Sequence, residues 1–268
     1  MTSMQASASV CEICPVCGEK KTTVVEMLGK KHIMPIMCRC RREELLKREQ
    51  EDHNNQQRLR LERLRQYSLM DRKFDECRFE SFEMDERNQK HYGMALKYCE
   101  RWPEMKQKNV GFMLWGPPGA GKTYIAFCIA NRLLEQGVPV IAISSIGLLH
   151  RIKKTYDRFG KEGEVEIINT FKNASLFVLD DLGAENGTVW AKEKIYEIID
   201  SRYRDGKPMI VTTNLIPEQL KKKLTAEDGV VRTYDRLIEM CYPIEIKGPS
   251  RRAKAAGSKA KIIKELLK

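Results

Sequence analysis

From Val110 to Ile246 the chain alternates between two kinds of hydrophobic pattern. Short, nearly unbroken apolar runs occur at Val110–Trp115, Val138–Ser144, Leu176–Leu179, Met209–Thr213 and Tyr242–Ile246. Runs of that length suit strands buried on both faces. Between them apolar residues recur every three or four positions. These segments are Thr123–Glu135, stopped by Gly137; Ile146–Phe159, basic on its polar side; Trp190–Tyr203, stopped by Gly206; Pro217–Leu224; and Val231–Met240. They read as amphipathic helices. A further helix is expected at Asn88–Trp102, behind Phe74, Phe79 and Phe82. Strands separated by helices predict an α/β fold, a parallel sheet with helices on both faces.

Upstream of Phe74 this rhythm fails. Residues 1–10 are small and polar, and are expected to be disordered. Residues 11–40 hold five of the nine cysteines, with brief apolar runs at Val24-Val25 and Ile33–Met37. From Arg41 to Tyr67 there is neither Gly nor Pro, and eight Lys/Arg stand among six Asp/Glu. That stretch predicts a solvated helix supported by i,i+4 charge pairs. The expected organisation is a cysteine module at 11–40, a charged helical linker at 41–73, a globular domain at 74–252 and a basic tail at 253–268. No internal repeat is present.

Composition sharpens this outline. The 268 residues are 42% hydrophobic, enough to bury one substantial core. The net charge is +11, and Lys247–Lys268 holds eight Lys/Arg against one acid, so that tail carries +7 of it. Such a surplus suggests an anionic partner. No run approaches the roughly 18 apolar residues of a membrane helix. Met1–Val10 lacks a basic region followed by an apolar one, so a cytoplasmic location without membrane contact is expected. There, clustered cysteines point to metal rather than disulfides.

The first apolar run ends in Gly116-Pro117-Pro118-Gly119-Ala120-Gly121-Lys122-Thr123, followed by Tyr124. This satisfies G-x-x-x-x-G-K-[ST] between a strand and a helix, the context a phosphate loop needs. Glycines let backbone N–H groups wrap phosphates, and the helix aims its positive end at them. Lys122 would reach the β- and γ-phosphates of ATP, and Thr123 would ligate Mg²⁺. Leu176–Leu179 runs into Asp180-Asp181. With that strand beside the phosphate-loop strand, Asp180 would hold Mg²⁺ and Asp181 would position or deprotonate the attacking water. Asn214, after Thr212-Thr213, is the candidate sensor of the γ-phosphate or the water. Arg236, on the helix at 231–240, is either a finger for a neighbouring subunit's site or a surface arginine in a salt bridge. Arg252 is the candidate cis sensor arginine, the alternative being the start of the basic tail.

Cys14-Pro-Val-Cys17-Gly and Cys38-Arg-Cys40 place C-x2-C and C-x-C about twenty residues apart. Four thiolates at that spacing suit structural, tetrahedral Zn²⁺. Cys11 also forms a C-x2-C pair with Cys14, and His32 is a possible substitute ligand. Free thiols or a redox pair are the alternatives. Cys77, Cys99, Cys128 and Cys241 sit in apolar surroundings and are expected to be core residues. Arg151, Lys153, Lys154 and Arg158, with Tyr156 or Phe159 for stacking, make Ile146–Phe159 a candidate DNA-binding helix, or else an ordinary amphipathic one. The tail would add salt-sensitive phosphate affinity.

Taken together, the phosphate loop, Val-Leu-Asp-Asp-Leu-Gly-Ala-Glu at 178–185, Thr-Thr-Asn-Leu at 212–215 and Tyr-Asp-Arg-Leu at 234–237 resemble the DnaC/DnaI-type helicase loaders of the IstB-like ATP-binding superfamily. The match covers residues 75–252, and more loosely the N-terminal module. It implies an AAA+ ATPase core without a helical lid, adenine rather than guanine as the base, and slow turnover stimulated by oligomerisation or single-stranded DNA. It also implies that the zinc module grips a hexameric replicative helicase, that the ATPase self-associates and binds single-stranded DNA, and that Arg236 and Arg252 are the finger and the second sensor. Arg251 stands where many relatives carry an aromatic. Competing expectations are an IstB-type transposase-helper ATPase, which lacks a cysteine module, and a nucleotide-gated DNA-binding adaptor with little turnover, for which Asp181 in place of the usual Glu is the hint.

Overall fold

The computed structural model describes residues 12–67 and 72–252. Cys11, residues 1–10 and the tail at 253–268 lie outside the described residues. The chain divides into two compact units, Met1–Leu59 and Arg60–Lys268.

In the first unit Gly18 N–H donates to Cys14 O at 2.9 Å, closing a turn in which Gly18 takes φ 72. Strands β1 (Thr22–Met27) and β2 (Lys30–Pro35) then pair antiparallel, with Val24 opposite Ile33. Leu28 and Gly29 join them at φ 52 and 73, the two-residue turn whose twist matches its strands. Neither strand is predicted by the hydrophobic pattern, because most of their side chains are exposed and no buried face imposes an alternation. Helix α1 (Arg39–Tyr67) starts two residues before the expected charged helix. Glu44 pairs with Arg41 at 3.1 Å and Arg48 at 2.7 Å on its surface. Among the described residues of this unit only Cys14 and Cys38 are buried, so apolar packing contributes little to its fold.

The second unit begins with α2 (Arg72–Asp75), α3 (Gln89–Glu100) and α4 (Trp102–Gln107). The single helix expected at 88–102 is broken at Arg101, and α4 restarts with Pro103 in its first turn, where a missing N–H costs nothing. Strands β3 (Gly111–Trp115), β4 (Val140–Ser144), β5 (Leu176–Asp180), β6 (Met209–Thr213) and β7 (Cys241–Glu245) form one sheet in the order β4-β5-β6-β3-β7, parallel throughout. Successive side chains enter opposite cores. Met113, Phe177 and Val211 face a core with α6 (Ser145–Asn173), α7 (Val189–Arg204), α8 (Pro217–Leu224) and α9 (Arg232–Met240). Leu114, Val178 and Ile210 face α3 and α5 (Lys122–Glu135). This is the α/β architecture the alternation predicts.

Helix α6 is twice the expected length. The spacing predicts an end at Phe159, before Gly160, but the apolar stripe resumes at Ile167, Ile168 and Phe171, all buried. That packing offsets the roughly 1 kcal/mol each interior glycine costs. Buried Arg202, on α7, secures the far end of α6. Its guanidinium donates to Phe171 O at 3.1 Å, Ala174 O at 3.0 Å, Ser175 O at 3.3 Å and Pro208 O at 2.6 Å. No helix among the described residues is long and apolar enough to cross a membrane.

Candidate nucleotide site and metal centre

The loop at 116–121 carries the chain from the end of β3 into α5. Two of its glycines answer to close neighbours. A Cβ on Gly116 would meet Ile246 O at 2.4 Å, and one on Gly119 would meet Ser250 Oγ at 2.3 Å, with Gly119 at φ 81. The segment after β7 therefore lies against the loop: Ile246 N–H donates to Trp115 O at 2.8 Å and Arg251 N–H to Gly119 O at 3.1 Å. A cavity of about 590 Å³ opens beside the loop, lined among others by Lys122, Thr123, Tyr124, Asp181, Asn214 and Arg252.

Buried Lys122 folds its ammonium into the loop. It donates to Gly116 O at 2.8 Å, Pro117 O at 2.9 Å and Asn214 Oδ1 at 2.7 Å, so all three protons are used. Burial lowers its pKa, opposed by Asp181 and Asp180. Thr123 Oγ1 donates to Asp180 Oδ1 at 2.7 Å, and Thr212 Oγ1 donates to the same oxygen at 2.6 Å. Burial raises the pKa of Asp180, and these two hydroxyls oppose the rise. A carboxylate and a hydroxyl in contact are hard oxygen donors, the pair that holds Mg²⁺ in phosphate-loop proteins.

Asp181 takes the left-handed φ of 52. Two hydroxyls hold it there: its N–H donates to Thr212 Oγ1 at 3.0 Å, and Ser145 Oγ donates to its carbonyl at 2.9 Å. Asn214 Nδ2 donates to Asp181 Oδ1 at 3.3 Å, so Asn214 touches both Lys122 and Asp181. The strand of Asp180 is not the neighbour of the phosphate-loop strand, contrary to expectation. β6 stands between them, and the acid reaches Thr123 across the intervening strand's end. Sequence reasoning misses Thr212 as a connector; the available signal is a hydroxyl at a fully buried position in an apolar strand.

Arg236 does not reach this cavity. It lies 2.7 Å from Asp200 Oδ1, donates a hydrogen bond to the Tyr196 hydroxyl and stands over the rings of Tyr196 and Tyr203 at 5.0 and 5.7 Å. Arg252 is exposed at the cavity rim, and its charge contributes, after burial, to lowering the Lys122 pKa. On α6, Lys153 and Lys154 are exposed, opposite buried Leu148 and Ile152. The side chains of Tyr156, Arg158 and Phe159 lie outside the described residues. Cys77, Cys99, Cys128 and Cys241 are all buried, as expected of core residues.

In the first unit the Sγ atoms of Cys14, Cys17, Cys38 and Cys40 all lie within 4.8 Å of one another. Cys14 to Cys40 and Cys38 to Cys40 are 3.4 Å. Zn–S bonds of about 2.3 Å imply tetrahedron edges near ~3.8 Å, so the four thiols fit that ion. Backbone N–H groups of Cys17 and Val16 pull the Cys14 thiol down to about 6, whereas contact with Cys38 and Cys14 pushes Cys40 up to about 12. His32 is not in the group; it sits exposed on β2, opposite Val25.

The chain is similar to known proteins over much of its length. The replicative helicase loader DnaC of Escherichia coli K12 is 29% identical over 149 residues, covering 55% of this chain and 59% of that protein. The replicative helicase loader DnaI of Bacillus subtilis 168 is 27% identical over 153 residues, covering 54% of this chain and 48% of that one. The matched region thus spans about half the length of these relatives. The crystal structure of DnaI matches with TM-score 0.56 and 26% identity, covering 69% of this chain and 95% of that chain. The DnaC helicase loader structure matches with TM-score 0.57 at 22% identity, covering 66% of this chain and all of that one, which speaks to the fold alone. The pattern of the IstB-like ATP binding proteins matches residues 34–260, and with most of its length inside that match the chain belongs to this family.

Proposed function

We propose that this chain is an ATP-dependent loader of a hexameric replicative helicase onto single-stranded DNA. The observation that carries the reading is the meeting of three strand exits at one place: Lys122 and Thr123 at the start of α5 beyond the loop, Asp180 closing β5 with Asp181 after it, and Asn214 after β6. Its similarity to proteins named replicative helicase loaders selects the client. In this reading residues 116–124 cradle ATP, and Thr123 with Asp180 holds Mg²⁺. Asp181 orients the attacking water and Asn214 senses the γ-phosphate. A phosphate oxygen would take the Lys122 protons now given to carbonyls.

Arg252 would contact the phosphates in cis. Arg236 would serve a neighbouring copy's site, consistent with its place outside its own cavity. The four-cysteine module, holding Zn²⁺, would grip the helicase. Its hairpin offers exposed Met27, Leu28, Ile33 and Met34 for that contact. Lys153 and Lys154 would contact single-stranded DNA. Turnover would be slow and rise on self-association or DNA binding.

The test is size exclusion with light scattering of the protein mixed with its organism's replicative helicase and ATP, repeated with Cys14→Ser/Cys17→Ser. A complex that the double variant cannot form supports the loader and its module. An intact ATPase that forms no helicase complex turns the reading toward a transposase helper.

A further inference from the structure

Phosphate chemistry accounts for one end of the 590 Å³ cavity. Its other end is walled by two segments far apart in the chain. One is the loop at 76–88, ahead of α3. Buried Asn131 on α5 anchors the start of this loop by donating to Phe74 O at 2.7 Å and Cys77 O at 2.9 Å. The other is the strap at 247–252, after β7.

A single side chain ties them together. Arg251 Nη2 donates to Glu83 O at 2.9 Å and lies 3.5 Å from Asp85 Oδ2. Its Cζ stands 5.8 Å from the Phe82 ring centroid, and Phe82 packs on Tyr124 at 5.5 Å. Phe82, Tyr124 and Arg251 all line the cavity. Arg251 and Arg252 therefore differ in address. The charge of Arg252 acts on Lys122, at the phosphate end, and that of Arg251 acts on Tyr124.

We infer that Arg251 is a nucleobase-binding residue, forming with Phe82 the wall on which the purine of a bound nucleotide packs. A guanidinium suits that position because it is planar, weakly hydrated, and stacks on π-systems while its edge keeps hydrogen bonds. Here the edge is held by Glu83 O and one face is turned to the Phe82 ring, so the side chain is fixed at the cavity with its other face for the base. Phe82 supplies the apolar surface beside it. The backbone N–H of Arg251 bonds Gly119 O, so the same residue fixes the distance between base wall and phosphate loop. The inference rests on the ATP-binding reading above.

The test separates base from phosphate. The full chain and Arg251→Ala are titrated calorimetrically with MgATP, MgADP and magnesium tripolyphosphate. The expected result is a loss of roughly tenfold for both nucleotides, the scale of one cation–π contact, with tripolyphosphate unchanged. Unchanged ATP and ADP binding would overturn the inference, as would an equal loss for tripolyphosphate. If Arg251→Ala binds none of the three, Arg251→Gln decides, because it keeps a donor for Glu83 O. Recovery of tripolyphosphate binding alone supports a base contact, and recovery of nucleotide binding with it, or of no binding at all, overturns it. Wild-type protein that binds neither nucleotide removes the ATP reading itself, and this inference with it.

Discussion

Thr212→Val isolates the connector between the acidic pair and the rest of the site. Thr212 is fully buried, and its hydroxyl makes two bonds, donating to Asp180 Oδ1 at 2.6 Å and accepting from Asp181 N–H at 3.0 Å. Valine fills nearly the same volume, so no cavity enters the sum. Losing a bond to a carboxylate costs about 1.5–3 kcal/mol, and orphaning a buried N–H costs about 1–3 kcal/mol. The expected destabilisation is thus about 2.5–6 kcal/mol, less whatever water recovers. Asp180 also loses one of two donors that fix its orientation toward Thr123. The Mg²⁺ dependence of nucleotide binding should therefore weaken. Thr213→Val is the matched control. It is equally buried, but its hydroxyl donates to Leu182 O at 2.6 Å and accepts from Leu215 N–H at 3.2 Å, with no carboxylate involved. Urea unfolding at constant m-value gives the stabilities, and calorimetric titration of ATP at several Mg²⁺ concentrations gives the coupling. The reasoning fails if Thr212→Val costs under about 1 kcal/mol, below the value of even one such bond. It also fails if Thr213→Val shifts the Mg²⁺ dependence as far.

Arg202→Met should lower stability by about 3–5 kcal/mol in the same unfolding assay, because three buried carbonyls and one half-buried carbonyl lose their donor while the apolar stem is retained; a neutral outcome would refute this account. If the four cysteines hold Zn²⁺ as proposed, chelation should abolish amide-exchange protection across Thr22–Pro35 and leave the unfolding of the second unit unchanged, since only the first unit lacks an apolar core. Protection that survives chelation would assign the hairpin's stability elsewhere. Burial lowers the His91 pKa, so the native state binds its proton less readily than the unfolded chain. Stability should then be full above about pH 6.5 and fall as pH drops through the unfolded value, a slope that His91→Gln should flatten.

The strands of the sheet were legible almost to the residue because a parallel sheet covered on both faces leaves unbroken apolar runs. Leu176–Asp180 shows the pattern at its clearest, with every position buried. The phosphate loop was legible because its chemistry is local: the residues that act are neighbours in sequence. What escaped was non-local or had no buried face. The hairpin at 22–35 has no buried face to impress a period of two on its sequence. Glycines at 160 and 163 concealed the second half of α6, whose apolar stripe has no partner until the sheet exists. The order of strands was hidden too, and with it the roles of Thr212 and Arg251. Each is defined by a contact partner that sequence spacing does not reveal.

Strand order explains why the middle of the site lies on β6. With β6 between β5 and β3, its exit residues are the ones that reach both sides: Thr212 holds Asp180, and Asn214 joins Lys122 to Asp181. The opposite flank is built from one continuous segment. α9 carries Arg236 and passes directly into β7, which pairs with β3; the strap beyond it bonds Gly119 and presents Arg251 and Arg252 to the cavity. Residues 232–252 therefore connect the arginine held by Asp200 to the loop that would hold the phosphates, without leaving the backbone. In the proposed reading, displacing Arg236 from Asp200, Tyr196 and Tyr203 would exchange an ion pair, a hydrogen bond and two ring contacts for what a neighbouring copy supplies. Any accompanying shift of α9 would bear on β7, and the carbonyl of Ile246, the residue just after it, already excludes a side chain at Gly116. Well-packed elements transmit such displacements rather than absorb them. In the proposed reading, self-association through Arg236 and nucleotide binding would thus share one stretch of chain.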